Sequence, residues 1–427
     1  VTSSQPGPAT GATAFGWVPR LGTAICLCIT LVFSTYLFTP VWWSEIGADA
    51  KVLYAAGVLS ASGGNPYEIA RQGAEEDRLY NPPGVSRRYR QAAYGYPPVV
   101  TAALRVGARV SEPVFYLISL LFLLVVGLAG FETSLALLRW RSRALPRLFF
   151  VASAPMALDL FIGNPSALLL LFCATGAWLI TRRRPLLGGL ALSGMALKPQ
   201  VGLPVAAAVI ATAPLATAAT SKARVHMGLV AAGGLGAGIA ILALLGELLL
   251  GSGSLASWFL AARDFGQALG PGGSGSAFTQ TGLAGLPALL LGRFSAPIAA
   301  ILTAAVVGPA LGFALWRRRE RMAGPSWGPM AVGIAIALAL SPYLHLNDLV
   351  LAAVPLLFVA SQPLNSLRRL TLVLWPVGPY LALVVLAAVS SLLGITGFGQ
   401  VGFGIVLTGL LLLSTVAAAV PPRASAR

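Results

Sequence analysis

The chain has 427 residues and a formal net charge of +16, yet only 10% of its residues are charged and 57% are hydrophobic. Soluble domains carry about 25% charged residues, so the two or three soluble domains that this length would otherwise suggest are excluded. Most basic residues stand in short clusters between apolar runs; that is the pattern of loops on a membrane protein, and nucleic acid is not expected as a partner.

Residues 1–20 read as a disordered cytoplasmic N-terminus, because VTSSQPGPATGATAFG is small, polar and rich in turn formers. Arg20 then precedes an apolar run that is longer than a signal-peptide core and lacks an A-x-A cleavage site, so it is expected to be retained. Apolar runs that suit the ~30 Å hydrocarbon core are predicted at 21–40, 113–138, 147–162, 166–181, 185–198, 200–218, 226–250, 295–316, 328–342, 347–361, 369–391 and 401–420. The shorter ones are expected to be tilted or broken. The fold class is therefore an all-α polytopic membrane protein with about 12 transmembrane helices in one domain, 21–420, followed by a cytoplasmic tail, 421–427.

Arg139, Arg141, Arg143 and Arg147 fall after the second run, and Arg182, Arg183 and Arg184 after the fourth. Lys222 and Arg224, then Arg317, Arg318, Arg319 and Arg321, then Arg368 and Arg369, fall on the same side. The positive-inside rule makes that side, and both termini, cytoplasmic. The segment 96–110 carries Arg105 and Arg109, and a full crossing there would invert every later loop. It is read as a re-entrant or interfacial helix packed on protein.

Two large loops then lie on the opposite face, 41–112 and 251–294; the first holds seven of the 13 acidic residues and eight of the 29 basic ones. Cys26, Cys28 and Cys173 lie within apolar runs, without metal-ligand spacing, and read as small core residues. No metal and no cofactor is expected.

Polar chemistry is concentrated on that outer face. Asp49 precedes AKVLYAAGVL, which fits a short amphipathic helix ended by Gly63 and Gly64. Its carboxylate suits either a helix N-cap or a general base for an acceptor hydroxyl. Asn65, Pro66 and Tyr67, and again Tyr96, Pro97 and Pro98, pair a turn with a phenol; such tyrosines anchor depth at an interface or line a sugar pocket. Asn164 follows Gly163 in an outer turn, and Asp159 precedes it by about one helical turn.

Lys198 ends a predicted span beside Pro199 and Gln200. A cation there either snorkels to water or meets an anion such as a lipid-linked phosphate. SPYLHLND interrupts apolar sequence and places His345, Asn347 and Asp348 together; one histidine and one aspartate are too few for a zinc site. His226, beside Lys222 and Arg224, reads as a solvated loop residue.

Taken in order, Asp49 with YAAGVL, GGNPY, YPP, the Gly-Asn turn, the Lys-Pro pair and SPYLH resemble glycosyltransferase family 87. The glycine–asparagine turn departs from the Gly-Gln-x-Asn arrangement of many members. The resemblance implies a GT-C membrane architecture in the cell membrane and transfer of mannose from a polyprenyl-phosphate donor to a lipid or glycan acceptor on the extracytoplasmic face. It implies Asp49 as catalytic base, His345 in the active site and Lys198 near the donor phosphate. Asn65, Tyr67, Tyr96, Asn164, Gln200 and Asp348 complete the candidate binding residues.

Arg87, Arg88 and Arg90, in a charged stretch of the first loop, are either solvated or in contact with an anionic acceptor or headgroups. A single base suits one-step inversion, in contrast to the carboxylate pair of retaining hydrolases. The rival readings are a secondary transporter or flippase that uses Asp159, Lys198, Glu247 or Asp348 as intramembrane charges, and a polysaccharide ligase or polymerase.

Overall fold

A computed structural model describes residue 24 and residues 47–81, 94–140, 143–217, 220–268, 327–341, 344–362, 366–372, 374–375 and 398–419. Among the described residues every regular element is a helix. The expected spans 21–40 and 295–316, most of 369–391, both termini, Cys26, Cys28 and the Arg87, Arg88 and Arg90 cluster lie outside the described residues.

Three short helices come first: α1 (Ala48–Ala61), α2 (Ile69–Tyr80) and α3 (Pro98–Gly107). The apolar helix α4 (Glu112–Leu137) follows, then α5 (Ala144–Ala152) and α6 (Ala154–Ile162), separated by the extended residue Ser153. Pro155, in the first turn of α6, has no N–H to continue the earlier ladder, so the chain breaks there. Next are α7 (Ser166–Thr181), α8 (Pro185–Leu192), which tightens into a 3-10 turn at Ser193–Leu197, and α9 (Pro199–Thr212), which does the same at Ala213–Ala216. The remaining elements are α10 (Ser221–Leu250), α11 (Ser254–Ala268), α12 (Gly328–Leu340), a 3-10 segment Leu346–Ala352 that runs into α13 (Ala353–Ala360), and α14 (Phe398–Ala419).

Glu112–Leu137, Pro199–Ala216 and Ser221–Leu250 are long and apolar enough to cross a membrane, and several shorter apolar helices accompany them. The 30 residues of α10 reach about 45 Å at 1.5 Å per residue. Leu117, Ile118, Leu121, Phe122 and Val125 on α4, and Leu229, Ile241, Leu244 and Leu248 on α10, stay more than half exposed. Apolar belts of that extent, on helices long enough to cross a membrane, fit contact with lipid. The protein is a membrane protein.

Between helices the contact is close because the residues are small. A Cβ on Gly189 of α8 would lie 2.0 Å from the Ala231 carbonyl oxygen of α10, and one on Gly234 would lie 2.3 Å from that of Leu186. A Cβ on Gly130 of α4 would lie 2.7 Å from the Leu171 backbone nitrogen of α7. Lipid tails are as apolar as side chains, so van der Waals packing of this kind holds such helices together.

The segment that was ambiguous in sequence is α3. Its ten residues span about 15 Å, too short for a crossing. It lies against α1, where Gly57 admits the Leu104 carbonyl, and against α10, where Gly246 admits Pro98. The expected amphipathic helix at Asp49 forms as α1, but its buried residues, Ala50, Val52, Leu53, Ala55, Ala56, Gly57 and Ser60, fall on most of its surface. It is wedged into protein rather than laid on an interface, because α2, α3, α4 and α6 all close on it. His226 is exposed as expected, but on α10 rather than in a loop.

The two ends of the bundle differ. At one end of α4, the Tyr116 hydroxyl donates to the Phe161 carbonyl at 2.9 Å, where α6 ends. At the other, Glu132 pairs with Arg143 at 3.3 Å and with Arg147. Arg143 and Arg147 thus sit at the opposite end of α4 from Tyr116 and the α6–α7 turn.

Substituting Gly189→Ala is expected to destabilise the fold by about 1–3 kcal/mol through overpacking, whereas Gly236→Ala, which meets open space, leaves the melting temperature unchanged or raised. Thermal melts of the two variants in the same detergent check the contrast.

Candidate active site

The site is built around the turn between α6 and α7. The Asp159 carbonyl accepts the N–H groups of Gly163 and Asn164, each at 3.0 Å, which closes α6. The Asp159 carboxylate accepts the Ala167 N–H at 2.8 Å, which opens α7. Gly163 takes a left-handed conformation, φ 74°, and a Cβ there would strike Ala50 at 2.6 Å. Backbone conformation and close approach both demand glycine at this position.

That approach brings the first turn of α1 onto the turn. The Gly47 N–H donates to the Phe161 carbonyl at 2.9 Å, and Asn164 Nδ2 donates to Asp49 Oδ2 at 2.5 Å. The Asn164 amide oxygen faces the other way. It accepts from the Ser166 N–H at 3.2 Å and from Lys198 Nζ at 3.3 Å, and Ser166 Oγ lies 2.6 Å away.

Lys198 stands where the 3-10 turn after α8 gives way to α9, and its ammonium pairs with Asp348 Oδ1 at 2.5 Å. The side chains are 6% and 0% exposed. Ser166 Oγ directs its single proton to the same carboxylate oxygen at 2.5 Å and accepts from Asn347 Nδ2 at 3.2 Å. His345 caps the 3-10 segment: its side chain accepts from the Asp348 backbone, and its own N–H donates to Asp348 Oδ2 at 3.0 Å.

The result is one hydrogen-bonded path, Asp49–Asn164–Ser166/Lys198–Asp348–His345, drawn from four separate stretches of chain. It brings together five of the residues expected from sequence. The expected N-cap role of Asp49 is not taken: Gly47 is the N-cap, α1 has no side-chain cap, and the Asp49 carboxylate faces Asn164. Lys198 does not snorkel; it is buried and its three short-range partners are Asp348, Asn164 and Ser166.

The other expected residues stand around this path. Asn65 Oδ1 accepts the Tyr67 N–H at 3.0 Å in an Asx turn. Tyr67 donates to the Tyr96 carbonyl at 3.0 Å and bonds Thr101 at 2.9 Å, so both residues shape the YPP turn. Trp258 of α11 fixes the same turn through the Gly95 carbonyl at 3.0 Å. Tyr96 itself adjoins the acids: burial first, then the charges of Asp49 and Asp348, push its phenol well above the ordinary value. It is a neutral hydroxyl at physiological pH. Gln200 contributes its backbone carbonyl to Ser341 Oγ at 3.1 Å, which ties α9 to the end of α12.

Sequence reasoning missed Ser166, whose place after Pro165 reads as an ordinary helix start, and offered Asp159 only as an intramembrane charge of a transporter; here it ties the α6–α7 turn. Glu247, one of the charges a transporter would need, accepts the N–H groups of Gly253 at 2.7 Å and Leu255 at 2.5 Å and so ties off the turn after α10.

A family model for glycosyltransferase family 87 matches residues 94–342, more than half of the chain. The chain belongs to glycosyltransferase family 87. It is therefore a glycosyltransferase of the membrane. No curated protein and no solved structure matches it. The matched segment contains Asn164 and Lys198, while Asp49 before it and His345 and Asp348 after it are joined to those two by direct bonds or by each other.

Removing one partner of a buried ion pair costs about 3–5 kcal/mol because the other charge is left without compensation. Lys198→Met is therefore expected to lower the melting temperature more than the double variant Lys198→Met/Asp348→Leu, measured by thermal melts in detergent.

Proposed function

We propose that this glycosyltransferase moves a single sugar, mannose, from a polyprenyl-phosphate donor to a lipid or glycan acceptor on the extracytoplasmic face of the cell membrane, with inversion and with Asp49 as general base. The observation that carries the reading is the path from half-buried Asp49 to the buried Lys198–Asp348 pair. It gives the site a carboxylate at its more accessible end and an ion-paired ammonium at its enclosed one.

In this reading the acceptor hydroxyl loses its proton to Asp49 as its oxygen attacks the anomeric carbon. The bond from that carbon to the phosphate oxygen breaks on the opposite face, and the phosphate leaves with the electron pair. Lys198 offsets the charge that gathers on the phosphate. Asp348 keeps the ammonium aimed at 2.5 Å, and the long contacts to Asn164 and Ser166, 3.3 and 3.4 Å, are the ones a phosphate oxygen replaces. Tyr96, a neutral donor beside the acids, is placed to bond a sugar or phosphate oxygen.

A small apolar groove supports a lipid-linked donor. It is lined by Phe131, Phe150, Pro155, Leu349, Val350 and Trp375 among others, and Leu349 follows Asp348 directly in sequence. A hydrocarbon tail there lies in an apolar channel that starts beside the charged site. Arg143 and Arg147 at the far end of α4 support the sidedness by the positive-inside rule, and a bundle of about 12 spans follows from the apolar runs.

Purified protein incubated with a panel of polyprenyl-phosphate sugars, with the lipids read by mass spectrometry, is expected to consume the mannose donor. Asp49→Asn, shown to be folded, is expected to lose at least about 100-fold in turnover, the usual scale for a general base; full activity in that variant removes the proposed base.

For sidedness, a cysteine placed at exposed Ser62 or exposed Arg183 in a cysteine-free background is treated in intact cells with an impermeant maleimide. Labelling at 62 alone is expected; labelling at 183 alone inverts the topology.

A further inference from the structure

Three consecutive contacts join the turn after α6 to the first turn of α1. The Phe161 carbonyl accepts the Gly47 N–H at 2.9 Å, Gly163 leaves room for Ala50, and Asn164 donates to Asp49 at 2.5 Å. The turn is itself held rigid from behind, since Asp159 binds the N–H groups of Gly163, Asn164 and Ala167.

The direction of the Asn164 amide is set by charge. Its oxygen meets two groups that can only donate, the Ser166 N–H and the Lys198 ammonium, while its NH2 meets a carboxylate. A reversed amide would set N–H against N–H and carbonyl oxygen against carboxylate at the same time, so one orientation is enforced. The side chain is 5% exposed, which strengthens each of these bonds. On Asp49 the bond engages Oδ2, and no described residue donates to Oδ1.

We infer that Asn164 is a positioning residue that registers the base-bearing helix α1 on the half of the site that holds Lys198 and Asp348. It holds Asp49 by Oδ2 and leaves Oδ1 to take the acceptor proton. The inference rests on Asp49 being the base, and it goes beyond a binding role for Asn164: the amide acts on the carboxylate rather than on sugar or phosphate. A carboxylate left to rotate, or a helix shifted by a fraction of an ångström, keeps donor binding and loses the productive alignment.

The test uses the full-length protein with the mannose donor. Asn164→Ala is expected to lose about 10- to 100-fold in kcat with the KM for the donor within about twofold of the parent. Asn164→Asp, which sets two carboxylates face to face, is expected to lose both kcat and melting temperature. The exchanged pair Asp49→Asn/Asn164→Asp restores one amide-to-carboxylate bond, so it is expected to regain the melting temperature and not the turnover; this arm reads the contact even where Asn164→Ala fails to fold.

The inference is overturned by an unchanged kcat in Asn164→Ala, by a loss that appears wholly in the donor KM, or by an exchanged pair no more stable than Asn164→Asp. Asp49→Asn alone separates the two levels. If it retains turnover, the base assignment fails; if it is inactive while Asn164→Ala is fully active, only the role of Asn164 fails.

Discussion

A buried ion pair between Lys198 and Asp348 is the constraint on which the rest of this structure depends. Neither charge reaches water, and a charge alone at that depth would cost several kcal/mol. The surrounding polar groups exist to make the pair tolerable: Ser166 and the His345 N–H satisfy the carboxylate, and the Asn164 oxygen takes part of the ammonium. Because Asn164 has a donor at its other end, the same bonds that stabilise the pair reach Asp49. The site's charge balance and its geometry have one origin.

The backbone around the pair is irregular, and the irregularity has a physical reason. Lys198 lies where a 3-10 turn meets a new helix, Asp348 lies within a 3-10 segment, and Asn164 follows a left-handed glycine. Each break frees N–H and C=O groups that lipid cannot satisfy, so breaks at membrane depth survive only inside protein. Here the freed groups are taken by Asp159, by the capping of His345 with Asp348, and by Ser341 on the Gln200 carbonyl. The helices are broken where the polar side chains of the site converge, and unbroken in α4 and α10, which are long and apolar enough to cross a membrane.

Close packing by glycine supplies the precision. Gly163 brings α1 within bonding distance of the α6–α7 turn, and Gly57 and Gly246 seat α3 between α1 and α10. The three small helices of the first loop are therefore part of the bundle's core at the site end, with Tyr67, Tyr94 and Phe115 buried among them. A segment rich in charged residues becomes a rigid wall of the site because its apolar residues are buried against the bundle.

What the sequence determined by itself was whatever depends on local pattern. Apolar runs marked the helices at 113–138, 166–181, 185–198, 328–342 and 347–361 to within a few residues of α4, α7, α8 with its 3-10 turn, α12 and the segment ending in α13, because hydrophobic length is a property of consecutive residues. Polar residues at the ends of those runs marked Asp49, Asn164, Lys198, His345 and Asp348, because a charge beside lipid needs a reason. Only the tertiary structure decided what those residues are to one another. It turned Lys198 from a candidate for snorkelling into half of an ion pair, moved Asp49 from cap to hydrogen-bond partner of Asn164, and brought in Ser166, whose neighbours in sequence are unremarkable. The partners lie 115, 150 and 182 residues apart, and pairing over such separations is set by how helices pack, which no local pattern encodes.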